Sequence, residues 1–221
     1  MATGRMAQRE YGERLPHHST PVSAPWVDGT EYAEIRSAIR EICRAYGDPY
    51  WREVDHARRY PTEFVEALTK AGWLAALIPE VYGGSGLGIA EASVVLEEIQ
   101  RQGGNAAACH AQMYIMGTLL KHGSDQQKQR YLPKLASGEL RLQAFGVTEP
   151  TAGSETTRIQ TTAVRTGDRY VVNGQKIWTS RYFQSDLMLL LARTTPYDEL
   201  EDKTRGLSVF LVDLRKAGDA I

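Results

Sequence analysis

Apolar positions along this chain change their period once, close to Gly138. Before that point they recur every three or four residues, the spacing of a helix with one buried face. Ile35, Ile39, Ile42 and Tyr46 predict a first helix, capped by Asp28 or Thr30 and stopped by Gly47 and Pro49. Residues 51–60 are charged and mixed, and read as a connector. Pro61 opens a second helix with Phe64, Leu68 and Ala71 on one face, and Gly72 ends it. A short apolar run, Trp73–Ile78, follows. Ile89–Arg101 carries the stripe Ala92, Val95, Leu96 and Ile99; Glu91 near its start and Arg101 near its end suit the helix dipole. Gly103-Gly104 breaks this helix, and Asn105 caps the next, which runs to about Lys121 with Ala106, His110, Met113, Gly117 and Leu120 on one side. Ser124 or Asp125 caps a last helix to about Ala136, bent or split by Pro133.

Beyond Gly138 the period falls to two and β-branched residues take over. Strands are expected over Leu140–Val147, Arg158–Arg165, Asp186–Thr194 and Leu207–Leu214. Thr166-Gly167-Asp168 is a turn, and Asn173-Gly174 between Tyr170–Val172 and Lys176–Thr179 is a type I′ hairpin signal. Pro196–Arg205 is a charged loop. Consecutive strands joined by short turns indicate an antiparallel sheet or barrel. The expected fold is therefore α+β: a flexible tail over 1–27, an all-α domain over 28–138, and a partial antiparallel β-barrel-like domain over 139–221. The last strand has no helix or cap after it, and an open edge is poorly protected; the chain is expected to be a fragment, or to be completed by a partner.

Composition narrows the function. Net charge is −1, from 26 basic and 27 acidic residues, which argues against general nucleic-acid binding. No apolar run reaches the roughly 18 residues of a membrane span. Cys43 and Cys109 lack the spacing of a zinc or redox pair and fit a reducing compartment, the cytoplasm. His17 and His18 fall in the tail without further ligands nearby, so no metal site is assigned. No G-x-G-x-x-G follows a strand, which excludes a Rossmann-type nicotinamide site. The glycine-rich run Pro79–Gly88 lacks the lysine and spacing of a P-loop and reads as a structural loop. His110 has nothing near it in sequence to build a catalytic dyad, and reads as a satisfied core or interface histidine.

Two stretches carry candidate chemistry. Phe145–Ser154, F-G-V-T-E-P-T-A-G-S, concentrates small and hydroxylated residues that let backbone and hydroxyls approach a phosphorylated ligand. Gln175–Ser180, Q-K-I-W-T-S, sets an aromatic face beside two hydroxyls. Together they suit a planar cofactor with a phosphate tail, such as a flavin. An ordinary turn and a core tryptophan are the alternative.

V-T-E-P-T-A-G-S at 147–154 and N-G-Q-K-I-W-T-S at 173–180 closely resemble the acyl-CoA dehydrogenase family. I-P-E-V-Y-G-G-S-G-L-G at 78–88, V-L-E-E-I at 95–99 and G-S-D-Q-Q-K-Q-R-Y-L-P at 123–133 match it in order, so the resemblance covers about residues 30–214. It implies a helical domain, a middle β domain and a further helical domain, with FAD between the last two and a dimer or tetramer. The residues it places on FAD are Phe145, Gly146, Val147, Thr148, Glu149, Pro150, Thr151, Ala152, Gly153, Ser154, Trp178, Thr179 and Ser180. Val147 and Thr148 would meet the ring, Trp178 would pack on it, Ser180 would lie near N5, and Ser154 would also lie near the acyl-CoA. The implied reaction is α,β-dehydrogenation of an acyl-CoA, with electrons passed to an electron-transferring flavoprotein. An acyl-CoA oxidase, a flavin monooxygenase and a non-catalytic binding subunit share the scaffold. Glu155 replaces an aspartate and Gly146 an alanine or cysteine common in the family. The family's glutamate base belongs to the third domain, Glu149 reads as a structural turn residue, and no catalytic residue is assigned in this chain. The isolated chain is expected to bind FAD weakly or not at all.

Overall fold

The structure, a computed structural model, describes residues 31–217. The expected tail, His17, His18 and the caps Asp28 and Thr30 lie outside the described residues. Six α-helices come first: α1 (Ala33–Arg44), α2 (Asp48–His56), α3 (Thr62–Lys70), α4 (Ile89–Arg101), α5 (Ala107–His122) and α6 (Asp125–Ser137). Five strands follow: β1 (Leu142–Gly146), β2 (Thr162–Thr166), β3 (Arg169–Asn173), β4 (Leu187–Arg193) and β5 (Leu207–Asp213). The α+β character and the order, helices then sheet, are those expected.

Helices α1, α3 and α4 interlock through the predicted stripes, while α5 buries Cys109, Gln112, Met116 and Leu119 and not the predicted face with His110, Gly117 and Leu120. Ile39, Phe64, Leu68, Val95 and Ile99 are buried in one cluster. A second cluster, with Ile115, Met116, Leu119, Leu132, Leu135, Leu142 and Leu187, joins α5 and α6 to the sheet. Capping chemistry explains α6: the Ser124 side chain accepts from the Gln127 amide, and the Gln127 side chain accepts in return from the Ser124 amide. Pro133 sits inside α6 without splitting it.

The glycine-rich run is structural. The amides of Gly84, Gly86 and Leu87 donate to the carbonyls of Pro79, Ile78 and Ala76. A Cβ at Gly84 would lie 2.1 Å from the Ile78 carbonyl oxygen, so only glycine lets the two backbones approach this closely. His110 is exposed, tilted against Tyr114 at a ring-centroid distance of 4.8 Å; it is not a core histidine, because the stripe that α5 buries is turned away from it.

Three local expectations are corrected. The segment read as a connector is largely helix α2, because Gly47 and Pro49 start a helix here, with Pro49 in its first turn, where the missing N–H costs nothing. The Asn173-Gly174 hairpin does not form. β3 pairs instead with β2 through the turn at Gly167, whose φ is +64°. Gly174 serves close approach: a Cβ there would lie 2.3 Å from Thr161 Oγ1 and 2.6 Å from Thr161 Cα. Lys176–Thr179 consequently forms no strand. The sheet is also mixed, not wholly antiparallel. β1 and β4 run parallel over Leu142–Gly146 and Leu187–Leu190, while β2–β3 and β4–β5 are antiparallel. β5 occupies one edge of β4 from Leu187 to Arg193, so β1 and β2 share the other, with β2 touching only at Arg193.

Candidate functional site

Parallel neighbours need a long crossover, and here the crossover from β1 to β4 carries both candidate stretches. The first leaves the end of β1, and the second precedes β4, separated from the first by the β2–β3 hairpin. The hairpin expected to join them is absent; beyond Gly146 they are irregular segments held together by other means.

Those means are specific. The Ile177 amide donates to the Thr148 carbonyl at 3.0 Å. Lys176 Nζ donates to the Val147 carbonyl at 3.0 Å and to Glu149 Oε1 at 2.7 Å. Glu149 and Ala152 exchange backbone hydrogen bonds of 2.9 and 3.2 Å, closing a tight turn. Glu149 is 4% exposed and also accepts from the amides of Gln160, at 2.5 Å, and Thr161, at 2.9 Å. Burial pushes its pKa up, but the Gln160 amide, Lys176 and Thr161 outweigh burial and hold it down at about 2. A carboxylate engaged by three donors and this acidic is a poor proton acceptor at neutral pH, so Glu149 cannot act as a general base.

The remaining residues divide by exposure. Phe145 projects part-exposed from β1, edge-on to Tyr114 at 5.5 Å. Gly146 is buried, and a Cβ there would meet Leu190 Cδ1 at 3.2 Å and Lys176 Cγ at 3.3 Å. Val147 and Thr148 are half-buried and Ala152 is buried. Pro150, Thr151, Gly153 and Ser154 are exposed. Among the described residues, the amides of Thr151, Gly153 and Ser154 have no acceptor, and a Cβ at Gly153 would meet nothing within 4 Å. Trp178 is 83% exposed with φ +60°, a conformation that costs a non-glycine residue about 1–2 kcal/mol. Arg181, three residues on, shares that φ. Thr179 is half-buried and Ser180 exposed; the Ser180 amide donates to the Trp178 carbonyl at 2.8 Å.

The stretches therefore form an open wall, with a flat indole, hydroxyls and unbonded amides turned to solvent. They lie largely outside a cavity beside β2. That cavity, about 680 Å³, lies between Arg158, Gln160, Thr162, Arg193 and Tyr197, and only Thr151 of the candidate residues reaches it. Sequence reasoning missed Lys176. It stands inside the quoted motif, but its role depends on a carboxylate 27 positions away.

Residues 29–139 match the family model for the acyl-CoA dehydrogenase N-terminal domain, and residues 144–220 match that for the acyl-CoA dehydrogenase middle domain. The chain belongs to the acyl-CoA dehydrogenase family. It is 32% identical over 222 residues to an acyl-CoA dehydrogenase of Mycobacterium tuberculosis, an alignment covering 89% of this chain and 57% of the relative. A glutaryl-CoA dehydrogenase of Desulfococcus multivorans is 36% identical over 191 residues, covering 84% of this chain and 48% of the relative. A solved acyl-CoA dehydrogenase from Geobacillus kaustophilus superimposes with a TM-score of 0.75 at 30% identity, over 83% of this chain and 48% of that one. The chain thus spans about half the length of the curated relatives it matches. No described helix is long and apolar enough to cross a membrane.

Proposed function

We propose that this acyl-CoA dehydrogenase-family chain forms one wall of an FAD and acyl-CoA site serving α,β-dehydrogenation of an acyl-CoA thioester. The observation that carries the reading is Trp178: a large aromatic 83% exposed, held in an unfavourable conformation beside a stretch tied to it by the Ile177–Thr148 hydrogen bond. Strain and exposed apolar area are retained where a ligand uses them.

The residues fit FAD in kind. The indole of Trp178 would offer a wall for the isoalloxazine, with Val147, Thr148 and Ser180 as further contacts for the ring. The free amides of Gly153 and Ser154 suit the pyrophosphate, and Gly153 lets it approach without steric cost. Glu149 belongs to the same stretch but acts on the protein, not the cofactor. Bound FAD would supply the hydride acceptor at N5; this chain would bind and orient it and, through Ser154, meet the acyl-CoA. We assign no general base among the described residues. Membership of the family supports an acyl-CoA substrate, an electron-transferring flavoprotein as acceptor and a homo-oligomeric assembly. The two buried, unpaired thiols support a cytoplasmic setting.

Titrating the isotope-labelled chain with FAD, followed by backbone amide NMR, tests this, because chemical shifts report even millimolar affinity, about −4 kcal/mol. The expected result is weak, saturable shifts confined to 145–154 and 178–180, with further shifts around Ser154 on adding an acyl-CoA. Saturable shifts located elsewhere, with both stretches silent, would overturn the proposal.

A further inference from the structure

Residues 174–179 belong to no strand or helix. Apart from the local bond from the Ser180 amide to the Trp178 carbonyl, three hydrogen bonds among the described residues tie this segment to the rest of the chain: Ile177 N–H to Thr148, and the two from Lys176 Nζ to Val147 and Glu149. Two of the three come from one ammonium group. We propose that Lys176 and Glu149 are a positioning pair that sets where Trp178 and Ser180 stand relative to Val147 and Thr148, and so shapes the flavin wall. This inference rests on the flavin reading above.

The geometry distinguishes the pair from a surface salt bridge. Both side chains are largely withdrawn from water, 11% exposed for Lys176 and 3% for Glu149, so solvent and salt screen their attraction little. The other lone pairs of Glu149 are filled by the Gln160 and Thr161 amides, at the entry to β2. The carboxylate is therefore a fixed post: its position is set by the turn at 149–152 and by the start of β2, and Lys176 docks onto it. The remaining reach of Lys176 is spent on the Val147 carbonyl, inside the first stretch. Its stem also lies along Gly146, where a Cβ would come within 3.3 Å of Cγ, so glycine at 146 leaves the lysine its path. Trp178 follows two residues later, with nothing of its own to anchor an 83%-exposed indole. Without Lys176, one backbone hydrogen bond would remain to hold the second stretch against the first.

The pair touches neither reacting atoms nor, in this reading, the flavin ring; it acts through Val147, Thr148 and Trp178. The test uses the full chain as wild type, Lys176→Met, Lys176→Arg and Glu149→Gln, with two readouts: amide exchange along the chain, and the FAD titration of 145–154 and 178–180. Lys176→Met removes both hydrogen bonds of the ammonium group, and is expected to speed exchange of the Ile177 amide and to raise the FAD concentration for half-saturation at least about tenfold. Exchange in β4 and in the helices should stay as in wild type. Lys176→Arg keeps the charge and the donors and should recover most of the affinity. Glu149→Gln should fall between. Wild-type half-saturation in Lys176→Met, or failure of Lys176→Arg to recover it, would overturn the pair's role while leaving the flavin reading intact. A wild-type chain whose FAD-dependent shifts saturate outside both stretches would overturn both.

Discussion

Glu98 and Glu149 are both buried carboxylates, and the two halves of the molecule use them differently. Glu98, on α4 and 1% exposed, accepts from Arg36 at 3.2 Å, Arg40 at 2.9 Å and Gln102 at 2.9 Å; Arg36 reaches Glu97 as well, at 2.8 Å. That network joins two regular helices that already meet through Ile39, Val95 and Ile99. Its charges fix how an apolar interface is set. Glu149 joins three segments that share no ladder: a turn, the entry to β2, and the irregular stretch before β4. There the ion pair stands in for secondary structure. Removing the first should damage the fold, and removing the second should damage a surface.

The largest effect expected is from Glu98→Ala. It strips the buried Arg36, and with it Arg40 and Gln102, of a shared buried acceptor, a loss of about 3–5 kcal/mol, seen as a lower urea midpoint for the whole chain. A loss below about 1 kcal/mol would show the helix interface to be held by packing alone.

Acid comes next. Glu149 is held down at about 2 from an ordinary 4.5. For a depressed carboxylate the unfolded state binds protons first as pH falls, so the stabilisation is complete above 4.5 and is lost as pH falls toward 2. The full shift corresponds to roughly 3 kcal/mol. Glu98 is also lowered, burial opposing and Arg40 and Arg36 prevailing, so its contribution has the same sign. Urea melts between pH 7 and pH 2.5 should show the difference between wild type and Glu149→Gln shrinking through that window. A difference independent of pH would place the effect of Glu149 outside its charge.

Glu149→Gln at neutral pH is expected to cost about 1–3 kcal/mol, with exchange rising at 175–180 before the helices respond. Trp178→Gly is smaller and opposite in sign. It relieves a positive φ and should stabilise the chain by about 1 kcal/mol while abolishing the FAD response. Stabilisation without loss of binding would mean the strain serves the fold. At the small end, Cys43 and Cys109 are buried, and burial raises their pKa to about 11 and about 12. Neither should react with a thiol reagent in the native state at pH 8, so labelling before denaturation would reveal local opening of the helical half.

The halves also differ in how far they could be read in advance. The helical stripes predict α3 and α4 closely, α4 with the observed bounds, and the cap at Ser124 or Asp125 predicts α6, because a helix answers to neighbours three and four residues away. The one helix missed, α2, was hidden by proline punctuation that starts helices as readily as it stops them. In the β half the apolar runs mark β4 and β5 well, but Asn173-Gly174 misleads. Its glycine is needed because Thr161 passes 2.6 Å from where a Cβ would stand, a demand no local pattern records. The parallel pairing of β1 with β4 is equally invisible, since partner choice across a forty-residue crossover depends on the closed core.

Family membership and the two candidate stretches follow from the chain by itself, since ordered motifs of small, hydroxyl and aromatic residues survive without coordinates. Helix positions follow for the same reason: their stabilising contacts are local in sequence. What only the tertiary structure decided is how the stretches meet. Lys176 and Glu149 are 27 positions apart, and burying that charge pair is favourable only where the Gln160 and Thr161 amides have already converged on the carboxylate. That convergence is a property of the folded crossover, and it separates a structural carboxylate from a catalytic one.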